Sequence, residues 1–509
     1  MRVCIRADAS SQMGSGHLMR CLTLAEGLRD RGATVHFICR SHRGNLCEFL
    51  EQRGFSVHRL PVMESTPGIP PLTLHEGWLG ASWEADAEQT AAILSELGLV
   101  DWLIVDHYAL DYQWEARLRP LARRIMVIDD LADRRHDCDL ILDQNFYWDM
   151  TRRYQDLVPQ SCQQLVGPKY ALLNRTFSVH QRTPVERNRT VERILVYFGA
   201  TDPSGETLKA LAALERLGAW SLEIDVVVGL SNPRAAEITA LADRMEGCRV
   251  LSYVEDMAQL MARADLALGA SGTTTWERCF KGLPSIVISI AKNQEETASA
   301  LAEAGYILYL GPHDEVSVDL IHDCLKTILQ SNRWRESLAK RCAELVDGRG
   351  VRRVLDVLSP PAIELRLAAP QDCEKIYAWR NAEKTRQYFF NPEPVELEAH
   401  RRWFQQTLQD PSRALLIGEQ QGEAVGVLRY DLQGGTAVVS VYLVPGKHRQ
   451  GLGASLIRAG SAWVAQHFQV RAIRAEVLEK NVASYEAFLR AGFRRESVTL
   501  VNEITGVGL

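Results

Sequence analysis

Long apolar runs are missing from this 509-residue chain: no uninterrupted stretch approaches the ~20 residues that a membrane-spanning helix needs. Paired cysteine spacings are missing as well. The 11 cysteines lie scattered from Cys4 to Cys373 without a C-x-x-C ladder, which argues against a disulfide framework and for a reducing compartment. Neither sign of charge dominates. With 58 Lys and Arg against 64 Asp and Glu the net charge is −6, so neither nucleic acid nor an anionic membrane is expected as a partner. The opening MRVCIRADAS reaches Arg6 and Asp8 too soon to build the apolar core of a signal peptide, and a soluble cytoplasmic protein is the expectation. Internal repeats of short period and low-complexity tracts are also lacking.

What is present is an alternation of short β-branched runs with amphipathic segments. Arg2 to Ala7 reads as a strand, and Leu18, Cys21, Leu22, Ala25 and Leu28 form one helical stripe ended by Gly32. Thr34 to Cys39 is the next strand, which completes a βαβ unit. Apolar strands follow at Trp102 to Val105, Ile125 to Ile128 and Leu140 to Leu142. A polar, basic connector near Gln181 to Arg193 separates these from a second series: Ile194 to Phe198, Ile224 to Val228, Asp265 to Leu268, Ser285 to Ile290 and Ile307 to Leu310. Two open parallel sheets with helices on both faces are implied, with a ligand cleft between them. Past the turn-rich Leu358-Ser359-Pro360-Pro361, longer clustered strands at Arg413 to Glu419, Ala424 to Asp431 and Thr436 to Val444 signal an α+β region. A prior of roughly 100–200 residues per domain gives about three, placed here at 1–185, 186–350 and 362–509.

Two strand-to-helix turns carry chemistry. In ADASSQMGSGHLMRCLTLA, Gly14 and Gly16 permit close approach of an anion to a helix start, and His17 follows at once. An imidazole there suits a general base beside a phosphate-bearing substrate, or it caps the helix and nothing more. In the second series, Gly269-Ala270-Ser271-Gly272-Thr273-Thr274-Thr275-Trp276-Glu277 opens another helix. Ser271, Gly272 and Thr273 offer N–H and O–H donors to a pyrophosphate without a metal, and Glu277 can accept from ribose hydroxyls. Simple N-capping and a favourable first-turn charge explain the same residues. Asp106, His107 and Tyr108 end a strand on the side where such clefts open, which suits a substrate-facing role for Asp106 and Tyr108. Of the adjacent Asp129 and Asp130, one is expected in a turn.

Together these residues resemble the UDP-2,4-diacetamido-2,4,6-trideoxy-β-L-altropyranose hydrolase family of pseudaminic acid biosynthesis, a GT-B-fold relative of the UDP-N-acetylglucosamine transferases of peptidoglycan synthesis. The resemblance covers the first ~345 residues and rests on six blocks in one order. Besides the opening block they are IVDHYALDYQWE, IDDLADRRHDCDLILDQN, GPKYALLN, FGATDPSGET and GASGTTTWERCFKGLPSIVI. It implies that His17 activates water at the anomeric carbon with inversion, and that Gly199 of the fifth block lines the cleft. It also implies that Glu277 holds the uridine ribose, and that Asn293-Gln294 contact substrate. A metal is not implied.

VYLVPGKHRQGLGASLI, Val441 to Ile457, resembles the acetyl-CoA loop of the GNAT superfamily of N-acetyltransferases. That resemblance assigns the pyrophosphate to Arg449, Gln450, Gly451 and Gly453, and the pantetheine arm to backbone amides at Leu443 and Val444. It assigns a further cofactor contact to Asn481. Two positions depart from the pattern. His448 stands where Arg or Gln is usual, and Phe488 stands where a tyrosine usually reprotonates the CoA thiolate. Phenylalanine has no proton to give, so Tyr485 or water takes that role, or activity is weak. Ala378-Trp379-Arg380-Asn381 and His400-Arg401-Arg402-Trp403-Phe404 look like the branch that acetylates sugar-nucleotide amines, although both tryptophans also suit a helix core.

The expectation is thus a bifunctional enzyme with a GT-B-like pair of doubly wound α/β domains followed by an α+β GNAT-type domain. Its partners would be a UDP-sugar and acetyl-CoA, with homo-oligomer formation left open. A UDP-sugar glycosyltransferase with a weak or silent acetyl-CoA-binding domain, and a ligand sensor without turnover, are the rival readings.

Overall fold

The computed structural model describes residues 1–63, 75–178, 190–218, 222–229, 232–252, 254, 256–360, 363–420, 422–447 and 452–496. Contacts divide the chain into two compact units, Met1–Leu355 and Asp356–Leu509. No helix among the described residues is long and apolar enough to cross a membrane.

The first unit holds two parallel sheets. One is built from β1 (Arg2–Ala7), β2 (Thr34–Arg40), β3 (Ser56–Leu60), β4 (Trp102–Asp106), β5 (Ile125–Ile128), β6 (Leu140–Asp143) and β7 (Gln163–Val166), in the order β3-β2-β1-β4-β5-β6-β7. The other is built from β8 (Arg193–Tyr197), β9 (Glu223–Val227), β10 (Cys248–Leu251), β11 (Leu266–Ala270), β12 (Ser285–Ser289) and β13 (Leu308–Pro312), in the order β10-β9-β8-β11-β12-β13. Central strands such as β4, β5 and β11 are buried along their whole length, because helices cover both faces and leave no polar side for alternation. Strand order reverses between β1 and β4 and again between β8 and β11, and ligands bind beyond the carboxyl ends of strands at such reversals.

Charge is buried beneath the first reversal. Arg6 on β1 bonds Asp8 at 2.6 Å and Asp86 at 2.6 and 3.1 Å, while Arg40 at the end of β2 reaches Asp86 at 2.6 Å; none of the four side chains is exposed. The Arg40 amide also donates to Asp8 at 2.7 Å, which ties the turn after β1 to β2.

The helix Gly350–Leu358 leaves the second sheet and packs against the first half of the unit. A Cβ on Gly350 would stand 2.1 Å from the Ala171 carbonyl oxygen, and one on Gly27 would stand 2.6 Å from Leu355 Cδ1. Backbone cannot yield as a side-chain tip does. Gly350→Ala is therefore expected to destabilise the first unit by about 1–3 kcal/mol, read as an earlier urea transition, whereas Gly27→Ala should move it less.

The second unit is a mixed sheet of β14 (Glu364–Leu367), β15 (Arg413–Gln420), β16 (Glu423–Gln433), β17 (Thr436–Leu443) and β18 (Ala472–Ala475), in chain order. All its pairings are antiparallel except β17 with β18. The parallel pairing ends at Val439 and Ala475, so from Ser440 to Leu443 that edge of β17 is open among the described residues. The helices Leu452–His467 and Val482–Arg490 cover one face, with Leu428, Tyr430, Leu456, Val464 and Phe488 in the core.

Sequence reading places the central strands within a residue or two and misses β3, β7, β10 and β14. All four are edge strands. An edge is half covered, and burial along Gln163–Val166 and Glu364–Leu367 is only partial, so no continuous apolar run marks them.

Candidate functional site

The turn after β1 carries the first helix, Gly16–Asp30, whose N-cap Ser15 forms no side-chain cap and leaves the leading amides open. Gly14 adopts φ +76° with open space where a Cβ would stand, and Gly199, after β8, adopts φ +98° with the same opening. A Cβ on Gly16 would lie 3.4 Å from Thr273 Oγ1, so the turn after β1 meets the turn after β11 face to face. Beside them a cavity of about 710 Å³ is lined by Ser11, Gln12, Gly77 and Trp78 from one half, and by Thr201, Pro203 and Pro233 from the other.

His17 is held from below. Its Nδ1 lies 2.6 Å from Oδ1 of Asp106, the last residue of β4, and Arg20, one turn along the helix, grips both Asp106 oxygens at 2.7 Å. Burial alone would raise the Asp106 carboxyl; the Arg20 and His17 charges and their hydrogen bonds override it and hold the group well below the usual carboxylate range. An ionised Asp106 can only accept, so Nδ1 carries the proton and Nε2 keeps its lone pair. The His17 side chain is 11% exposed, and Nε2 makes no hydrogen bond among the described residues. The His17 ring meets Tyr108 edge-on at 4.4 Å, and Trp78 and His75 extend this aromatic wall.

The expected substrate contact at Asp106 is corrected by this geometry. Asp106 is fully enclosed, with its oxygens taken by His17, Arg20 and the Cys21 thiol, so it does not face the cleft itself. Tyr108 is 8% exposed and gives its hydroxyl to Asp130 at 2.6 Å, so it also belongs to the wall behind His17. Arg20, His75 and Trp78 escaped the sequence reading, and Asp130 was read there only as one of an adjacent pair with a member in a turn. For Arg20 a signal existed: a cation three residues after His17 on an apolar helix faces the same strand end.

On the opposite turn, Ser271 is buried with no hydrogen bond to its Oγ among the described residues, and Gly272 and Thr273 are partly exposed. Arg278 lies buried beneath them and donates to the Ala270 carbonyl at 2.8 Å and to the Thr274 and Thr275 hydroxyls at 3.2 Å. Each hydroxyl accepts from the guanidinium, so its own proton is free for another acceptor. Gly269 makes room for that guanidinium, because a Cβ there would stand 2.7 Å from Arg278 Nη1. Gln294 Oε1 accepts the Ile290 amide N–H at 3.1 Å, with Nε2 3.8 Å from the Cβ position of Gly272, and Asn293 is exposed beside it. Asp202 of the FGATDPSGET block caps the next helix, accepting the Glu206 and Thr207 amides at 2.9 Å. Among the described residues no group of three or more His, Cys, Asp or Glu stands where it could hold a metal ion.

Glu277 is partly buried, and burial pushes its carboxyl up to about 7 against the pull of Arg278. A raised acid favours the folded state while protonated, so this contribution is present at low pH and lost as pH climbs from 4.5 to about 7. The melting temperature of Glu277→Gln is expected to fall less than that of the wild type across this interval. Equal slopes would remove Glu277 as the cause.

In the second unit the edge of β17 from Ser440 to Leu443 is unpaired among the described residues. Val444 is corrected: its amide donates to the Val425 carbonyl at 3.0 Å, so alternation turns the amides of Val441 and Leu443 to the open side. Gly453 lets the helix Leu452–His467 close on its neighbour, with its Cβ position 3.4 Å from Ala487 Cβ. Arg449, Gln450 and Gly451, like His448, lie outside the described residues. Asn481 caps the helix Val482–Arg490, accepting the Ser484 amide at 3.2 Å. Phe488 is 6% exposed and packs on Phe493, whereas Tyr485 is 39% exposed. Arg380 and Asn381 brace the chain from Asn391 to Val395 through its carbonyls and the Val395 amide, and Trp379 and Trp403 border the core.

Comparison with known proteins sets the class. Residues 206–347 match the glycosyltransferase family 28 C-terminal domain, and residues 362–494 match the acetyltransferase (GNAT) domain. The crystal structure of Acinetobacter baumannii MurG aligns with a TM-score of 0.52 at 14% identity, over 70% of this chain and 99% of that one. The chain is a GT-B-like pair of Rossmann-like lobes joined to a GNAT-type domain. Among particular relatives, the UDP-2,4-diacetamido-2,4,6-trideoxy-beta-L-altropyranose hydrolase of Campylobacter jejuni is 26% identical over 307 residues, 60% of this chain and 98% of its own. Its name is that of the family which the six sequence blocks resemble. An uncharacterised protein of Methanocaldococcus jannaschii is 21% identical over 522 residues and spans 99% of both chains.

Proposed function

We propose that the first unit hydrolyses a UDP-activated diacetamido sugar, of the kind named for the Campylobacter relative, and that the second acetylates the amine of its precursor. The observation that carries the reading is the His17 imidazole, locked through Nδ1 on Asp106, with Nε2 free of partners among the described residues at the mouth of the cleft. In that geometry Nε2 takes a proton from water as the oxygen bonds to the anomeric carbon. The bond from that carbon to the phosphate oxygen breaks, its electron pair leaves with UDP, and the configuration inverts. The open amides around the turns after β1 and β11, with the hydroxyls oriented by Arg278, receive the departing charge. In the second unit acetyl-CoA supplies the acetyl group, Val441 and Leu443 would hold its arm, and Tyr485 stands ready to return a proton to the thiolate.

The match to the glycosyltransferase family 28 C-terminal domain favours a second reading, transfer to an acceptor alcohol. Incubation with the UDP-amino sugar and acetyl-CoA in ¹⁸O-labelled water separates the two. Free CoA, UDP and a diacetylated sugar carrying the label at its anomeric carbon are expected. UDP release that depends on an added alcohol would overturn the hydrolase reading, and CoA formation that is absent with every amino sugar would overturn the acetyltransferase one.

A further inference from the structure

Behind the imidazole lies an arrangement that hydrolysis by His17 and Asp106 alone does not require. Arg20 bonds Asp106 with one edge of its guanidinium, and the remaining nitrogen, Nη1, bonds both oxygens of Asp130 at 2.7 and 3.0 Å. Its Nη2 stands 3.4 Å from His17 Nδ1. A guanidinium so near an imidazole repels the proton that the ring must gain, unless its charge is compensated. Asp106 cannot do this alone, because one carboxylate would then serve both cations. The second carboxylate is Asp130, in the turn after β5, with a side chain 12% exposed. Tyr108 donates to it at 2.6 Å and Asn145 at 2.8 Å, so its position is fixed from three sides.

We propose that Asp130 is a positioning residue for His17: acting through Arg20, its carboxylate balances the guanidinium so that the imidazole can hold the proton taken from water. This rests on the reading of His17 as the base. With His17 neutral, one guanidinium faces two carboxylates, and the cluster carries one spare negative charge; the imidazolium formed during attack neutralises it. Without Asp130 the same step creates an uncompensated positive charge in a buried place.

The neighbours of the pair are defined. Asp106, Arg20 and Tyr108 touch the His17 ring, while His75 packs against Tyr108 and His107 faces Asp8 at 3.5 Å. Around Asp130 stand Arg20, Tyr108 and Asn145, with Asp143 as a further carboxylate that accepts from Arg153 and Tyr154 at 3.0 Å. Tyr147 and Arg153 reach the Asp130 carbonyl and not its carboxylate.

The direct test is titration of the His17 ring by NMR in the full chain labelled with ¹⁵N-histidine, the signal being assigned by its loss in His17→Gln. Asp130→Asn, nearly isosteric, is expected to lower the midpoint of His17 by about one pH unit, and Asp130→Glu to restore most of it. Asp143→Asn should move it by less than half as much, and Tyr108→Phe, which keeps every charge, should leave it in place. In turnover, the acid limb of UDP release should shift down with the midpoint in Asp130→Asn, with kcat reduced about tenfold and KM little changed. A His17 midpoint that stays put in a folded Asp130→Asn protein, or one that Asp130→Glu fails to restore, overturns the proposal. The titration needs no substrate. A wild type that releases no UDP would sink the hydrolase reading while this measurement still decides the role of Asp130.

Discussion

Asp106→Asn is expected to slow UDP release by about 10³–10⁴-fold while the first unit stays folded, and His17→Ala to slow it at least as far. An asparagine fits the Asp106 site in size, but its amide group presents an N–H donor as well as an oxygen. If the oxygen stays with Arg20, the N–H faces Nδ1, and the ring must take the tautomer that puts its proton on Nε2 and its lone pair on the wrong side. A negative charge under the forming imidazolium is lost at the same time. The two losses act in one direction, and both act on the chemical step, so kcat should fall and KM should hold. CoA release by the second unit provides the internal control in the same sample, because no residue of that unit is altered. A kcat within tenfold of wild type, in a protein whose urea transition is unmoved, would mean that His17 does not work as a base held by Asp106.

This expectation depends on features of unequal legibility. His17 was visible in the chain because a glycine turn, a histidine and a helical stripe are all local. Asp106 was visible as a strand end, yet its task was not, since a carboxylate facing substrate and one enclosed behind a base look alike until the 89-residue separation is closed by β1 and β4 lying side by side. Arg20 and Asp130 lie in two of the six blocks, yet 110 residues separate them and nothing local in either block says that they meet. The glycine turns after β1 and β11 were legible for the same local reason as His17, whereas their meeting across the cleft, Gly16 against Thr273, is a tertiary fact. In the second unit the resemblance located β17, but only its register tells which amides are free: Val444 is bound to β16 and Leu443 is turned the other way. The same holds for Phe488, whose departure from the family pattern becomes intelligible once its ring is found in the core beside Phe493.

The buried charges under the turn after β1 carry the largest expected effect on stability. In the sequence Asp86 looks like an ordinary first-turn acid of the helix Trp83–Leu97, where Ser82 supplies the cap and a negative charge suits the helix dipole. In the structure it accepts from Arg6, Arg40 and the Trp114 indole at 2.6 to 3.1 Å and has no exposure to solvent. Burial alone would raise its carboxyl, yet the Arg6 and Arg40 charges and hydrogen bonds hold it below the ordinary value. Removing it leaves Arg6 with Asp8 alone, a carboxylate already bound to the Arg40 amide, and leaves the Arg40 guanidinium with the Pro61 carbonyl and no carboxylate. Breaking such a network from one side costs about 3–5 kcal/mol, a large part of the roughly 5–15 kcal/mol that holds a typical domain together. Asp86→Ala is therefore expected to shift the first unit to a much lower urea midpoint, with the transition of the second unit unmoved, and Asp86→Asn to lie between it and wild type. Where Asp86→Asn remains folded it should still release UDP, because His17 hangs from Asp106 and not from this network. A first-unit midpoint that Asp86→Ala leaves in place would show that water reaches the two arginines, and that the turn bearing His17 is fixed by Asp8 alone.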